Sequence, residues 1–269
     1  MNFCGLNLNK LINNPFISSC HLIFMLKNII TALGKPTSLP WFYLYIYPKL
    51  KGIGVKNIEK YLSFNSIVTF LLLDNFPLLN ILPDPKKVSD FLTLAFLVDK
   101  ISDEARYKIS KEDLRTCSCK NNTSCSLTMK EICNILKESN LSEKAYKKFL
   151  DCIVTQNNSM QQFHEAREEK LFELSTSKGG VAMQFFILFF RDASEDELED
   201  AYLLGSLIQL LEDYIDRDED KKEGINTLFS LNYWNKRDLI KFASELMKST
   251  NLLRYRLLFL KSIIPLYLL

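Results

Sequence analysis

The sequence predicts an all-α fold, a single large helical bundle over residues 1–269, and three observations carry that prediction. Glycine and proline number only 8 each in 269 residues, so long stretches run without a breaker. Apolar residues recur at three- and four-residue spacing, as Phe91, Leu94, Ala95 and Val98 do. No pair of alternating segments joined by a hairpin turn stands out, and no segment repeats.

The elements follow in order. Residues 1–50 are apolar and aromatic (Trp41, Phe42, Tyr43, Tyr45, Tyr47) and are broken by Pro36, Pro40 and Pro48, so they read as a peripheral segment of short helices and loops. Residues 55–82 read as one or two buried helices ended by Pro77 and Pro83. Asp84-Pro85-Lys86-Lys87 opens the next helix. Residues 107–126 read as a polar connection, and helices are expected over 127–139 and 142–174, the second opened by Ser142 and Glu143. Lys178-Gly179-Gly180 reads as an interruption before the apolar run Val181 to Phe190. Ser194 with Glu197 reads as a capping box; it opens a long helix to about residue 222, which Gly224 ends. The last helices are expected over 236–249 and 252–268.

Composition excludes several classes of function. The net charge is +2, with no zinc finger, no RNP-like motif and no basic block, so nucleic acid is not an expected partner. The apolar runs Phe16 to Leu33, Ile67 to Leu82 and Leu252 to Leu269 carry Lys27, Asp74, and Arg254, Arg256 and Lys261 respectively. None is the charge-free span of about 20 residues that a transmembrane helix needs. The N-terminus lacks a basic region leading straight into an apolar stretch and a cleavage site, so no signal peptide is expected. A soluble cytoplasmic protein is the expectation, with peripheral membrane contact and a homodimer left open. Seven cysteines, an odd number spread through the chain, do not suggest a disulfide framework and fit a reducing compartment. Cys117, Cys119, Cys125 and Cys133 cluster in a polar stretch, yet their spacing matches no paired C-x-x-C zinc pattern, so they read as incidental loop and helix cysteines.

Two acidic clusters carry the chemistry. In Asp99-Lys100-Ile101-Ser102-Asp103-Glu104, Asp99 and Asp103 share a helical face one turn apart, after the apolar run Phe91 to Val98. In Glu212-Asp213-Tyr214-Ile215-Asp216-Arg217-Asp218-Glu219-Asp220, Glu212, Asp216 and Asp220 share a face, as do Asp213, Asp216 and Asp220. Leu203, Leu204, Leu207, Ile208, Leu210 and Leu211 come immediately before. Like charges at this spacing repel by about 0.2–0.5 kcal/mol per exposed pair, and helix C-termini disfavour anions. A solvated acidic helix end, with Lys221 and Lys222 nearby, accounts for either cluster alone. Two such clusters more than a hundred residues apart, each fused to an apolar helix, ask for a divalent cation instead. Oxygen ligands without His or Cys select Mg²⁺ or Mn²⁺ over zinc.

An aspartate pair on one helix and a longer acidic motif far downstream resemble the class I terpenoid (isoprenoid) synthases. The segment from Leu204 to Leu228, LGSLIQLLEDYIDRDEDKKEGINTL, is similar to the second aspartate-rich helix of that superfamily. In look it is most like the bacterial large terpene synthases of the tetraprenyl-β-curcumene synthase kind. Ser177-Lys178-Gly179-Gly180 is similar to the family's broken helix, and the resemblance spans residues 85–265, the implied catalytic helical core. Glu212 departs from the pattern, standing where an aspartate is expected. The resemblance implies a helical bundle with a central apolar cavity. It implies Mg²⁺, with Mn²⁺ as a substitute, held by Asp99, Asp103, Glu212, Asp213, Asp216 and Asp220. Asp99, Asp103, Asp216 and Lys178 become the catalytic residues, and Arg106, Lys178, Lys221, Arg254 and Tyr255 the contacts to the substrate diphosphate.

The implied reaction is ionisation of a prenyl diphosphate to an allylic carbocation that is then cyclised or quenched, with release of diphosphate. The alternative on the same fold is an isoprenyl diphosphate synthase that condenses two isoprenoid units. That class shows D-D-x-x-D where this chain has D-K-I-S-D, which favours the terpene synthase. Asp216 to Leu228 is also similar to the second motif of the intramembrane prenyltransferases, against which the missing membrane spans count. Phe185, Phe186, Phe189 and Phe190 have faces that can stabilise a carbocation; as ordinary core residues they need no such role.

Overall fold

Asp84 starts the first helix of the described chain: its Oδ1 accepts the backbone N–H of Lys86 at 2.8 Å and of Lys87 at 3.2 Å. Pro85 stands at the first helical position, where its missing N–H costs nothing. The computed structural model describes residues 78–81, 84–103, 107–119 and 123–268, and among them every regular element is helical. The expectations for residues 1–77, and for Arg106, lie outside the described residues. Among the described residues no helix is long and apolar enough to cross a membrane.

The helices are α1 (Pro85–Asp103), α2 (Lys111–Thr116), α3 (Thr123–Glu138), α4 (Glu143–Ser159), α5 (Glu168–Phe190), α6 (Glu195–Ile215), α7 (Arg217–Glu223), α8 (Lys236–Ser249) and α9 (Leu253–Leu268). Ser142 caps α4 by accepting the Ala145 N–H, as its position before Glu143 predicts. Ser110 with Asp113 and Asn235 with Asp238 form capping boxes that open α2 and α8.

The long expected helix over 142–174 is instead two. After Ser159 the chain makes a 3₁₀ turn, Met160–Phe163, and re-enters helix at Glu168. Distant partners hold that turn: Asn226 donates its backbone N–H to Gln162 O and its side-chain amide to Glu165 O. Likewise the expected helix to residue 222 breaks at Asp216 (φ −92°, ψ 4°) into α6 and α7. The break places Asp218, Glu219 and Asp220 in the first turn of α7, where the helix dipole favours anions, rather than deep in the last turn of α6. Gly224 ends α7 in the left-handed region (φ 73°), as expected.

The largest correction is at Lys178-Gly179-Gly180, which does not break the helix. α5 runs unbroken through it from Glu168 to Phe190. The glycines serve a helix crossing: a Cβ on Gly179 would collide with the Gly205 carbonyl oxygen, and one on Gly205 with the Gly179 carbonyl oxygen. Glycine at both positions is what lets α5 and α6 approach at backbone distance.

That crossing sets the layout. α5 packs along its length against α6 and α4. Ser206 Oγ donates to Thr176 O, Gln184 Nε2 donates to Leu198 O, and Ser175 Oγ donates to Asp213, so α5 and α6 are antiparallel. α1 also runs antiparallel to α5, with Phe91 edge-to-face against Phe186 (centroids 4.9 Å apart) and Asp99 near Lys178. One apolar cluster spans the bundle, including Leu97, Ile101, Phe149, Leu171, Phe186 and Leu207. Full burial of such a side chain contributes about 1.5–3 kcal/mol. The polarity of the helices then decides the site: the C-terminal ends of α1, α4 and α6 meet the N-terminal half of α5 at one end of the bundle.

Candidate functional site

Lys178, on α5, stands between the two acidic clusters. Its Nζ is 3.7 Å from Asp99 Oδ1, and that oxygen also accepts from Gln156 Nε2 at 3.3 Å. On α6, Asp213 is 7% exposed and held on both oxygens: Ser175 Oγ donates at 2.6 Å to Oδ2 and Gln209 Nε2 at 3.0 Å to Oδ1. Burial pushes the Asp213 carboxyl above its usual value, against the opposing pull of Ser175, Gln209 and Lys178.

Its neighbours are crowded further. Burial pushes Glu212 up to about 8; Lys178 opposes the shift, while Asp213, Asp216 and Asp99 add to it by repulsion. Asp220 is also pushed up to about 8, first by burial, then by Asp213 and Asp216, again opposed by Lys178. Asp99 on α1 therefore acts on Glu212 on α6, although they are far apart in sequence. Asp216 is exposed at the joint between α6 and α7, and its backbone carbonyl accepts the Glu219 and Asp220 N–H groups. Among the described residues, five carboxylates share an electrostatic neighbourhood with Lys178.

The remaining expected site residues fall as follows. Asp103 ends α1, and its side chain lies outside the described residues, as does Arg106. Lys221 is exposed in the last turn of α7. Arg254 and Tyr255 do not join the carboxylates. Arg254 pairs with Glu197 Oε1 at 2.6 Å, and the Tyr255 hydroxyl, fully buried, donates to the same oxygen at 3.3 Å. Glu197 is fifteen residues before Glu212 on α6, about 22 Å along the axis. The pair belongs to the opposite end of the bundle, so the role expected for it over a diphosphate is withdrawn. The same arrangement changes the capping box expected at Ser194: Ser194 accepts the Glu197 N–H, but the Glu197 carboxylate turns to Arg191 and Arg254 instead of back to the cap.

Gln156, Ser175 and Gln209 are the residues that the sequence reading missed. Gln209 lies four residues before Asp213 on the same helix, a spacing at which glutamine–aspartate pairs meet. Gln156 and Ser175 come from other helices and leave no local signal.

The cysteines also need correction. Cys119 and Cys125 form a disulfide, both buried, where incidental thiols were expected. Among the described residues no group of three His, Cys, Asp or Glu could hold a metal ion as placed. The acidic end nonetheless fits a hard cation in its chemistry: the donors are all carboxylate oxygens, and two of them are pushed up to about 8 by burial and mutual repulsion. Mg²⁺ commonly binds through one or two carboxylates plus water and substrate phosphate, without an all-protein cage. No family model, curated protein or solved structure matches this chain.

Proposed function

We propose that this chain is a Mg²⁺-dependent enzyme of the class I terpenoid synthase type that ionises a prenyl diphosphate. The observation that carries the reading is the meeting of Asp99 on α1 with Glu212, Asp213 and Asp216 on α6 around Lys178. A helical bundle in which two sequence-distant acidic helix ends converge, both backed by apolar helix, suits a charged headgroup above an oily tail.

Asp99 and Asp103 on one side, and Glu212, Asp213, Asp216 and Asp220 on the other, are the residues that would hold Mg²⁺. Bound there with the substrate, such ions supply Lewis-acid neutralisation of diphosphate oxygens. The chain's own groups do the rest. Ser175 and Gln209 fix Asp213, and Gln156 fixes Asp99, so the two carboxylates are oriented before substrate arrives. Lys178 lies where its ammonium can take up charge on the leaving diphosphate as the C–O bond breaks. The bond's electron pair leaves with the diphosphate and an allylic cation remains. Water must be kept from that cation; Phe91, Phe185, Phe186 and Phe189, buried ring against ring on α1 and α5, make the bundle apolar and π-rich below the carboxylates.

The test is incubation of the full chain with prenyl diphosphates of several lengths plus Mg²⁺, with and without isopentenyl diphosphate, followed by extraction. Hydrocarbon or alcohol products from one diphosphate alone support the synthase. A longer diphosphate formed only with isopentenyl diphosphate assigns the condensing reaction instead. Absence of Mg²⁺-dependent turnover, together with no thermal stabilisation by Mg²⁺ and inorganic diphosphate, removes the enzyme reading.

A further inference from the structure

The end of the short helix α2 and the long helix α3 bring four cysteines together. Cys119 and Cys125 are already joined. The other two, Cys117 and Cys133, are free thiols, each partly accessible. They lie sixteen residues apart in sequence, yet both point at one atom: the Leu114 carbonyl oxygen accepts from Cys117 Sγ at 3.6 Å and from Cys133 Sγ at 3.4 Å. Cys117 is also near enough to Cys133 to help raise its thiol above the usual range. Leu114 O is one of the carbonyls that the end of α2 leaves without a helical partner, and a single thiol suffices to satisfy it. Cys117 occupies the left-handed position after α2 (φ 52°), a place that glycine or asparagine fills more easily.

We propose that Cys117 and Cys133 form a dithiol that closes to a second intramolecular disulfide, tying the end of α2 to the middle of α3 beside the existing Cys119–Cys125 bridge. The co-reactant is a low-molecular-weight disulfide such as oxidised glutathione. Cys117 attacks one of its sulfurs, its thiol proton goes to solvent, and the reagent's sulfur–sulfur bond breaks to release one thiol. Cys133 then attacks the Cys117 sulfur, gives up its own proton, and releases the second reagent thiol. Two protein thiols are oxidised and one disulfide reagent is reduced. Burial and the neighbouring Cys117 push the Cys133 thiol above its usual range; exchange in the opposite order, with Cys133 first, gives the same disulfide. The third described free thiol, Cys152, lies on α4, where its thiol donates to Val181 O and burial pushes it above the usual range, so it stays out of the exchange.

The location gives the closure a mechanical consequence. α2 follows α1 after a short connection, α3 packs against α1, and α1 carries Asp99 and Asp103. A bridge between α2 and α3 therefore restrains both structures that hold the C-terminal end of α1.

The test equilibrates the full-length protein with oxidised and reduced glutathione in graded ratios, traps free thiols by alkylation, and maps cross-links by peptide mass spectrometry without reduction. The expected result is a peptide pair joined through Cys117 and Cys133, short of two hydrogens, forming in addition to Cys119–Cys125. In Cys133→Ser the exchange should stop at a glutathione adduct on Cys117, and in Cys117→Ser no second intramolecular disulfide should form. The proposal is overturned if Cys117 and Cys133 remain separately alkylatable at every ratio, or if oxidation joins either to Cys119, Cys125 or another cysteine.

Discussion

At the N-terminal end of α6, Glu197 is 4% exposed and its carboxylate meets Arg191, Arg254 and the Tyr255 hydroxyl. At the C-terminal end, Glu212 and Asp213 share Lys178 with Asp99, Asp216 and Asp220. Burial raises the Glu197 carboxyl, but its two arginines outweigh that and hold it below the usual range. At the other end Lys178 opposes burial but does not outweigh it, and Glu212 and Asp220 are pushed up to about 8. Among the described residues, one helix thus carries two buried acidic groups, one whose arginines outweigh burial and one whose lysine does not. The first is what structural burial of a carboxylate requires. The second is an arrangement that folding alone does not ask for and that a bound cation would relieve.

The sharpest way to break this comparison is to remove carboxylates from the second end. Asp99→Ala or Asp216→Ala should abolish Mg²⁺-dependent diphosphate release, by about a hundredfold to a thousandfold or more, while circular dichroism stays unchanged. Turnover retained in both would falsify the site. At the closed end the expected effect lies on stability. Glu197→Ala strands Arg191, Arg254 and Tyr255 and should cost about 3–5 kcal/mol in urea unfolding; a loss under about 1 kcal/mol would show that the cluster is not a structural tie.

The crossing between the two ends provides a third test. Gly205→Ala forces α5 and α6 apart and should cost about 1–3 kcal/mol by overpacking. It should also weaken substrate turnover, because Ser175 no longer reaches Asp213. A neutral Gly205→Ala would mean the helices can separate without consequence.

The smallest effect is in the pH dependence. Glu212 is raised in the folded state from 4.5 to about 8, so folding holds its proton where the unfolded chain has lost it. Its contribution is fully favourable below the unfolded value and is lost as pH rises through the window from 4.5 to about 8. The melting temperature of the metal-free protein should therefore fall across that window, and Glu212→Gln should flatten the fall by a few degrees. Added Mg²⁺ with inorganic diphosphate should restore stability most at the upper end, where the carboxylates are charged. A profile identical in Glu212→Gln and the parent chain would remove Glu212 from the pair of groups responsible.

Some of this was legible in the chain and some was not, and particular residues show why. Ser142, Gly224, the boundaries near 236 and 252, and the helical class itself rest on local rules of capping, breaking and periodicity, so they needed only neighbours in sequence. The same local rules misread Gly179 and Gly180. A glycine pair inside a helix reads as a break unless Gly205, twenty-six residues on, is known to lie against it. Arg254 and Tyr255 look like candidates for any anion, and only the antiparallel packing of α5 and α6 and the placement of α9 give them to Glu197.

The sequence by itself determined which residues are acids, that they follow apolar helices, and that they repeat at one-turn spacing. Those properties need only helix geometry. Tertiary structure decided which acids are closed by arginine and which crowd a single lysine, and which cysteines face each other across α2 and α3. Charge compensation and thiol pairing depend on distances between chain segments, and such distances are set by the direction in which packed helices run.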